Sequence, residues 1–413
     1  MKKIAIIGSG ISGLTCGYLL QQKFDIEIFE SNNYSGGHAH TVNVNNLAID
    51  TGFIVFNNRT YPNFKKMMDK LHVAYHSTEM SFSVRNDACG LEYNGNNLNA
   101  LFANRKNLIN PYFIKLIYDI FKFNRLAKKN TGLPNETLQQ FIARNNFGKW
   151  FVDGYILPMV ASIWSIGKNQ ALNFPFAFFY NFFNNHGLLD IYNRPQWYTI
   201  AGGSRTYINK ITTGFHDKIH LNSQVKHLIR KQQGVEVTFE NNETKIFDEV
   251  ICACNSTQAL KMLKQPTTLE EQVLGAIKYS SNEVVLHTDT TLLPRKKLAY
   301  ASWNYLVTEQ SDKKTTLTYN MNILQKLKTD EIYCITLNSS DLISEEKIIA
   351  KFNYDHPIFT HAVIAAQTKW QNISGSDRIH YCGAYWGNGF HEDGVNSAIK
   401  VCNHLGVTDE TIL

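Results

Sequence analysis

Residues 4–30 read IAIIGSGISGLTCGYLLQQKFDIEIFE, and the order of apolar runs and glycines in that stretch leaves few folds open. Ile4 to Ile7 is a short, wholly apolar run of the kind that fills a strand buried on both faces. Gly8, Gly10 and Gly13 follow in GxGxxG order, and each has a separate steric task. The first makes a tight turn, the second lets a pyrophosphate approach the backbone, and the third lets the next helix pack on the sheet. Gly17 extends that close-packed face by one turn. A phosphate at this point meets the positive, N–H-bearing end of the helix. The second strand, Ile26 to Phe29, ends in Glu30, 17 residues after Gly13. A carboxylate there accepts hydrogen bonds from ribose hydroxyls and repels a 2′-phosphate, which disfavours NADP. Strand, glycines, helix, strand and terminal acid in register predict a dinucleotide-binding α/β domain of Rossmann type.

Gly36 and Gly37 follow Glu30 within one short loop, and then come His38 and Thr41. A second glycine pair so placed can wrap the same pyrophosphate, as in flavoproteins of the glutathione-reductase type. FAD is therefore favoured over NAD. Near the other end, His380 to Gly406 reads as a short strand, the loop GAYWGNGFHEDG and a helix beginning beside Gly394. That helix N-terminus is a candidate to hold the electron-rich edge of an isoalloxazine ring, stabilising reduced flavin. The plainer reading is an ordinary loop capped by Asp393.

One nucleotide-binding domain does not use up 413 residues, so a second domain or a large insertion is expected. A hydrophobic share of 44% and a charged share of 18% exclude disorder, collagen-like repeats and a coiled coil. The seven cysteines include no CxxC, and no HExxH occurs, so a metal site has no support. Their odd number suits reduced thiols in the cytoplasm. Lys2, Lys3 and the apolar run behind them are broken by glycines and do not read as a secretory signal. The most apolar internal stretch, Phe174 to Phe183, is far too short to span a bilayer and contains Pro175 and Asn181. A net charge of +6 is compatible with an anionic surface, and nothing points to nucleic acid.

Helical patterns dominate from about Tyr61 to Ile200, with a short strand pair near Met80 to Val84 and Leu91 to Tyr93. Strand-like runs resume at 219–254 and alternate with loops from Glu283 to Leu337. The reading is a discontinuous FAD-binding domain over 1–60, 201–280 and 366–413, and an inserted α+β substrate domain over 61–200 and 281–365.

Taken together these residues resemble the flavin-containing amine oxidase and phytoene desaturase superfamily. More narrowly they are similar to its bacterial predicted NAD/FAD-binding branch, often encoded beside cyclopropane-fatty-acid synthases, and to the flavin domain of plant cyclopropane synthases. The resemblance runs along nearly the whole chain, through GSGISG, GGHAHT from Gly36, DTGFIVFN from Asp50, LPMVASIWS from Leu157, QWYTIAGGSRTY from Gln196 and GFHEDG from Gly389. It implies that Gly8, Gly10, Ser12 and Gly13 hold the pyrophosphate and that Glu30 holds the adenosine ribose. Val225 would touch adenine through its backbone. His38 stands where amine oxidases carry an Arg, near the diphosphate or flavin, and Gly52, Gly383, Gly394 and Val395 would line the ring and ribityl chain. Two departures stand out. Asn282 and Glu283 occupy the stretch where many amine oxidases place a lysine near flavin N5, and Gly383-Ala384 replaces a frequent Gly-Asp.

His391 and Glu392, between two glycines of the predicted flavin loop, are the acid–base candidates. His186 and His287 read as structural, and Tyr385 and Trp386 as flavin wall or core. Seven aromatics in the eleven residues from Phe174 to Asn184 suggest either core or an acyl-chain tunnel. In Leu108 to Lys129, Ile109, Phe113, Leu116, Ile117 and Ile120 form one face and Lys115, Lys122, Arg125 and Lys129 another, which suits core packing or an anionic membrane. The function expected is FAD-dependent oxidation of a lipid or acyl chain, unsaturated or cyclopropane, at the inner face of the membrane beside a lipid-modifying methyltransferase. The rival readings are a flavin-dependent double-bond isomerase or saturase, a polyamine oxidase and a catalytically silent flavoprotein scaffold.

Overall fold

The structure, a computed structural model, describes residues 1–129, 132–133, 135–164, 166–190, 194–308 and 316–407. Ser165, which ends the LPMVASIWS motif, and the last six residues of the expected flavin domain lie outside the described residues. The chain divides into two units: Met1–Tyr75, Ile200–Tyr279 and Phe359–Leu413, and His76–Thr199 with Ser280–Ile358. Residues 61–75 and 359–365, read from the sequence as substrate domain, thus belong to the first unit. The physical reason is plain for the former. Helix Pro62–Lys70 has its first N–H groups bound by a carboxylate of the C-terminal helix, as described below.

The first unit is built on a five-stranded parallel sheet in the order Ile219–His220, Asp25–Phe29, Lys3–Ile7, Glu249–Cys252, Ile379–Tyr381. The apolar run at Ile4 to Ile7 fills the central strand and is buried. Helix Ile11–Leu20 follows it with nine of its ten residues buried. Gly17 makes that depth possible, since a Cβ there would sit 2.8 Å from Ile28 and 2.9 Å from Phe215. A three-stranded antiparallel sheet, Val225–Lys231, Gly234–Phe239 and Thr244–Phe247, shares an apolar core with the parallel sheet through Phe29, Val237 and Phe247. All seven cysteines are free thiols, Cys16 and Cys382 facing each other at 3.9 Å between their sulfurs.

The second unit holds a seven-stranded mixed sheet in the order Ile348–Pro357, Tyr279–His287, Cys334–Leu337, Leu317–Asn320, Trp303–Val307, Phe82–Asn86, Leu91–Asn94. Its helical part buries the aromatic cluster. Phe141 stacks on Phe176 at 3.8 Å, Phe179 meets Phe183 at 4.0 Å, and Trp164 contacts Phe174 and Phe182 at 4.5 and 4.8 Å. The rings that suggested a tunnel therefore fill one another's space as core. His186 Nδ1–H donates to Phe182 C=O and the ring stacks on that of Phe182, while His287 accepts from Asp289 N–H and bonds Thr336. Burial pushes both imidazoles down to about 4, so they are neutral structural groups. Among the described residues no helix is long and apolar enough to cross a membrane.

Candidate functional site

The site is assembled in the first unit at the C-terminal ends of the parallel strands. Gly8 turns the chain with φ +102°, and a Cβ on it would press on the Ala253 carbonyl at 2.9 Å. At Gly13 an added Cβ would collide with the Gly8 carbonyl, which ties the helix to its own entry loop. Gly10 differs from both, because nothing lies within 4 Å of the place its Cβ would occupy. It is also the residue preceding helix Ile11–Leu20, with no side-chain cap. The first intrahelical bond runs from Leu14 N–H to Gly10 C=O, so the N–H groups of the first turn point out of the helix end.

The second glycine pair comes to the same place. Gly36 N–H donates to Ser9 C=O at 2.9 Å, and a Cβ on Gly37 would fall 3.1 Å from Gly10 Cα. Glu30 closes the other side of the loop. One of its buried carboxylate oxygens accepts from Ser9 N–H and Oγ–H at 2.9 and 2.7 Å, and the other accepts from Asn32 N–H and Nδ2–H at 2.9 Å. Ser223 N–H donates to Glu30 C=O at 2.7 Å, which brings Val225, two residues on and buried, to the Glu30 end of the loop. Phe53 N–H donates to His38 C=O at 2.8 Å, and Gly52 is small enough to pass beneath that carbonyl. Asp50, fully buried beside them, accepts from Thr41 Oγ at 2.6 Å and from Ser204 N–H and Oγ–H at 2.8 Å each. Burial outweighs these bonds and pushes its carboxyl up to about 6.

The C-terminal segment completes the site. Gly383 N–H donates to Ser397 Oγ at 2.9 Å, fixing the strand end to helix His391–His404. Gly394 lets that helix cross the glycine-loop helix, for a Cβ there would meet Ile11 at 2.7 Å and Ser12 Oγ at 2.9 Å. Val395 is fully buried beside it. Asp393 caps its helix by accepting from Phe390 N–H at 2.9 Å, and burial pushes its carboxyl up to about 6. Tyr385 is core by burial, and its Oη and the Trp386 Nε1 are buried donors with no hydrogen-bond acceptor among the described residues.

The two acid–base candidates part company. Glu392 accepts from Asn63 N–H at 3.0 Å through one oxygen and from Phe64 N–H at 2.8 Å through the other. It caps helix Pro62–Lys70, each carboxylate oxygen engaged by one backbone N–H. His391 lies flat on Phe53, ring centroids 3.6 Å apart and planes 9° from parallel, with Nε2 3.0 Å from Tyr207 Oη. Burial, with the His38 charge adding to it, holds this imidazole well below its ordinary range, so it is neutral at pH 7. Burial also keeps the Tyr207 phenol protonated. Neither Phe53 nor Tyr207 was assigned a role from the sequence. Both stood inside quoted motifs, but 184 residues separate Tyr207 from His391, and no local spacing links them.

These residues fit FAD on three counts. The space before Gly10 is open at a helix N-terminus, the buried Glu30 carboxylate ends the second strand against the glycine loop, and Tyr385 and Trp386 offer buried donors without acceptors among the described residues. The comparisons agree. The chain matches the family described as flavin containing amine oxidoreductase over residues 11–336. It is 27% identical over 165 residues to a 1-hydroxycarotenoid 3,4-desaturase of Flavobacterium sp. (strain P99-3), a match covering 34% of this chain and 33% of that protein. The chain thus spans about a third of the length of that curated relative. Among solved structures it is similar to a CLA-producing fatty acid isomerase from P. acnes, with a TM-score of 0.68, 14% identity and 98% of each chain covered. It is likewise similar to cyclohexylamine oxidase from Brevibacterium oxydans IH-35A, with a TM-score of 0.70, 14% identity, and 98% of this chain and 99% of that one covered. The chain belongs to the flavin containing amine oxidoreductase family and is an FAD-dependent oxidoreductase.

Proposed function

We propose that the substrate is a lipid acyl chain, unsaturated or carrying a cyclopropane ring, and that His391 handles the proton lost from its carbon. The observation that carries this reading is His391 itself, a neutral imidazole held between Phe53 and Tyr207 in the loop that closes on the glycine helix. Gly8, Gly10, Ser12, Gly13, Gly36 and Gly37 would hold the pyrophosphate of FAD and Glu30 its ribose, in a flavin domain of the glutathione-reductase type. His38, Gly52, Val225, Gly383, Gly394 and Val395 would line the remainder. Bound FAD supplies the acceptor for a hydride from the substrate carbon.

His391 Nε2–H donates to Tyr207 Oη, which holds the ring against rotation and leaves Nδ1 its lone pair. Proton transfer then takes place at Nδ1, the nitrogen Tyr207 does not engage. A neutral imidazole accepts a proton there, and its low basicity lets it release that proton again. Glu392 acts at one remove, by fixing the first turn of the His391 helix to helix Pro62–Lys70. Support for a lipid comes from the names of the relatives, a fatty acid isomerase and a carotenoid desaturase, whose substrates are long hydrocarbons. A cytoplasmic place beside a lipid-modifying methyltransferase completes the reading, and the seven unpaired thiols suit it.

The test is anaerobic mixing of the yellow holoprotein with phospholipid. Lasting flavin bleaching with a desaturated product supports oxidation. Product without bleaching assigns the isomerase reading, which the likeness to the fatty acid isomerase favours as the second choice. Rapid bleaching by polyamines and none by lipid overturns both in favour of amine oxidation. Pathway output unchanged in His391→Gln points to a silent scaffold.

A further inference from the structure

The second unit carries an exposed face that the proposed reaction does not use. Of the fourteen large apolar side chains exposed among the described residues, six lie between Leu108 and Phe121. Helix Pro111–Lys128 explains how. Phe113, Leu116, Phe123 and Ala127 point into the core. Ile114, Tyr118 and Phe121 fall on the opposite side at i, i+4 and i+7, with exposures of 47%, 61% and 53%. Leu108 and Ile109, 54% and 86% exposed, stand just before the helix. The row of exposed rings and branched chains continues into Arg125 at i+11, and Lys115, Lys122 and Lys129 flank it at helical spacing.

Charge decides what such a face meets. The segment from Leu98 to Lys129 contains seven Lys and Arg and one acid, Asp119. The chain's whole excess of +6 therefore resides in these 32 residues, and the rest is balanced. Two of the seven cations are paired, Lys115 with the buried Asp119 at 3.0 Å and Lys128 with Asp190 at 2.6 Å, so the charge this face shows comes from Arg105, Lys106, Lys122, Arg125 and Lys129. A basic helix with an apolar row on its outer side matches the interface of an anionic bilayer, where apolar side chains enter the acyl boundary and cations meet headgroups. A second copy of the same face would bring like charges together. An acidic macromolecule would meet the charge and leave Ile114, Tyr118 and Phe121 against water.

We propose that the outer face of helix Pro111–Lys128, with Leu108 and Ile109, docks this protein on anionic phospholipid bilayers. The docking stands on this face alone and is independent of which molecule the flavin oxidises. The experiment is flotation of the holoprotein with vesicles of phosphatidylcholine alone or of equal parts phosphatidylcholine and phosphatidylglycerol. Binding to the anionic vesicles is expected, weakened by salt, with little binding to the neutral ones. Arg125→Gln with Lys129→Gln, both exposed, lowers the affinity about 25-fold, at about fivefold per basic residue. Tyr118→Ser with Phe121→Ser abolishes flotation, while Leu342→Ser with Ile349→Ser, exposed elsewhere, leaves it unchanged. Each variant alters exposed side chains, and an unchanged melting temperature confirms its fold. As an independent readout, Phe121→Trp shifts its emission to the blue on anionic vesicles. No flotation with anionic vesicles at low salt, or flotation indifferent to both double variants, overturns the proposal. Self-association of the wild type that Tyr118→Ser with Phe121→Ser removes assigns the face to a second copy and overturns it equally.

Discussion

Adjacent residues at the start of the C-terminal helix, His391 and Glu392, are given opposite roles, and substituting them one at a time separates fold from chemistry. Glu392 is 6% exposed, and each of its oxygens accepts one backbone N–H of helix Pro62–Lys70, at 3.0 and 2.8 Å. A hydrogen bond to a charged group contributes about 1.5–3 kcal/mol, and a buried donor left alone adds its desolvation cost. Glu392→Ala removes both bonds and costs about 4 kcal/mol on this reckoning. Glu392→Gln keeps one acceptor and turns an amide N–H toward the other donor, so its cost is about 2 kcal/mol. In a unit of some two hundred residues these figures translate into melting temperatures lower by about 12 °C and about 6 °C respectively.

His391 is tied to the fold by one ring stack and one hydrogen bond, and His391→Gln costs about 1 kcal/mol of stability. Its loss should instead be felt in turnover, by about 10²–10⁴-fold if the imidazole is the proton-transfer group. The assay pairs thermal melting, followed by circular dichroism, with turnover of the substrate identified by anaerobic bleaching, each at matched flavin content. The expected outcome is a crossover: Glu392→Gln melts early and retains most of its turnover below the melt, whereas His391→Gln melts nearly as wild type and is almost inactive. A stable, inactive Glu392→Gln beside an active His391→Gln would refute the assignment of the two residues.

The glycines of the first loop yield a second contrast. Gly10→Ala should melt as the wild type, since its Cβ meets nothing, and yet retain flavin poorly through purification, read as the ratio of absorbance at 450 and 280 nm; Gly13→Ala should fail to fold, because its Cβ falls on the Gly8 carbonyl. For Asp50 the folded carboxyl, at about 6, lies above its ordinary 3.8, so its stabilisation is fully present below the unfolded value and lost as pH rises through 6. The loss amounts to about 3 kcal/mol, and urea titrations from pH 4 to 7.5 should show Asp50→Asn with a shallower fall than the wild type, Asp393 supplying what remains. Tyr207→Phe should move the ¹⁵N resonance of His391 Nε2, identified by its disappearance in His391→Gln, and lower turnover with little change in KM; an unmoved resonance would mean that Tyr207 does not hold the ring.

How far the site could be read in advance follows from the distance over which each feature is encoded. The glycine loop was legible because its constraints are local: Gly8, Gly13, Gly36 and Gly37 each avoid a clash within one loop or its immediate neighbour. Glu30 was legible for the same reason, since a fixed helix length sets where the second strand ends. The pairing of Glu392 with Asn63 and Phe64, across more than three hundred residues, has no signature in either segment, and an acid beside a histidine in a predicted flavin loop reads naturally as a catalytic pair. Helix Pro111–Lys128 was legible in part: Phe113 and Leu116 turn inward with Ile117 and Ile120 half-buried, as the periodicity placed them, but Ile109 is exposed and a second apolar row lies outside that pattern. The buried side is the one that includes two polar residues, Asp119 and Asn124, because Asp119 has the Gly148 N–H and the Lys115 ammonium to satisfy it there. With those partners in place the core accepts a carboxylate and the opposite stripe of Ile114, Tyr118 and Phe121 is left outside. An apolar row turned outward at that cost to solubility, on the one stretch that carries all of the chain's excess charge, is what selection for an anionic bilayer would preserve and what selection for a freely diffusing protein would remove.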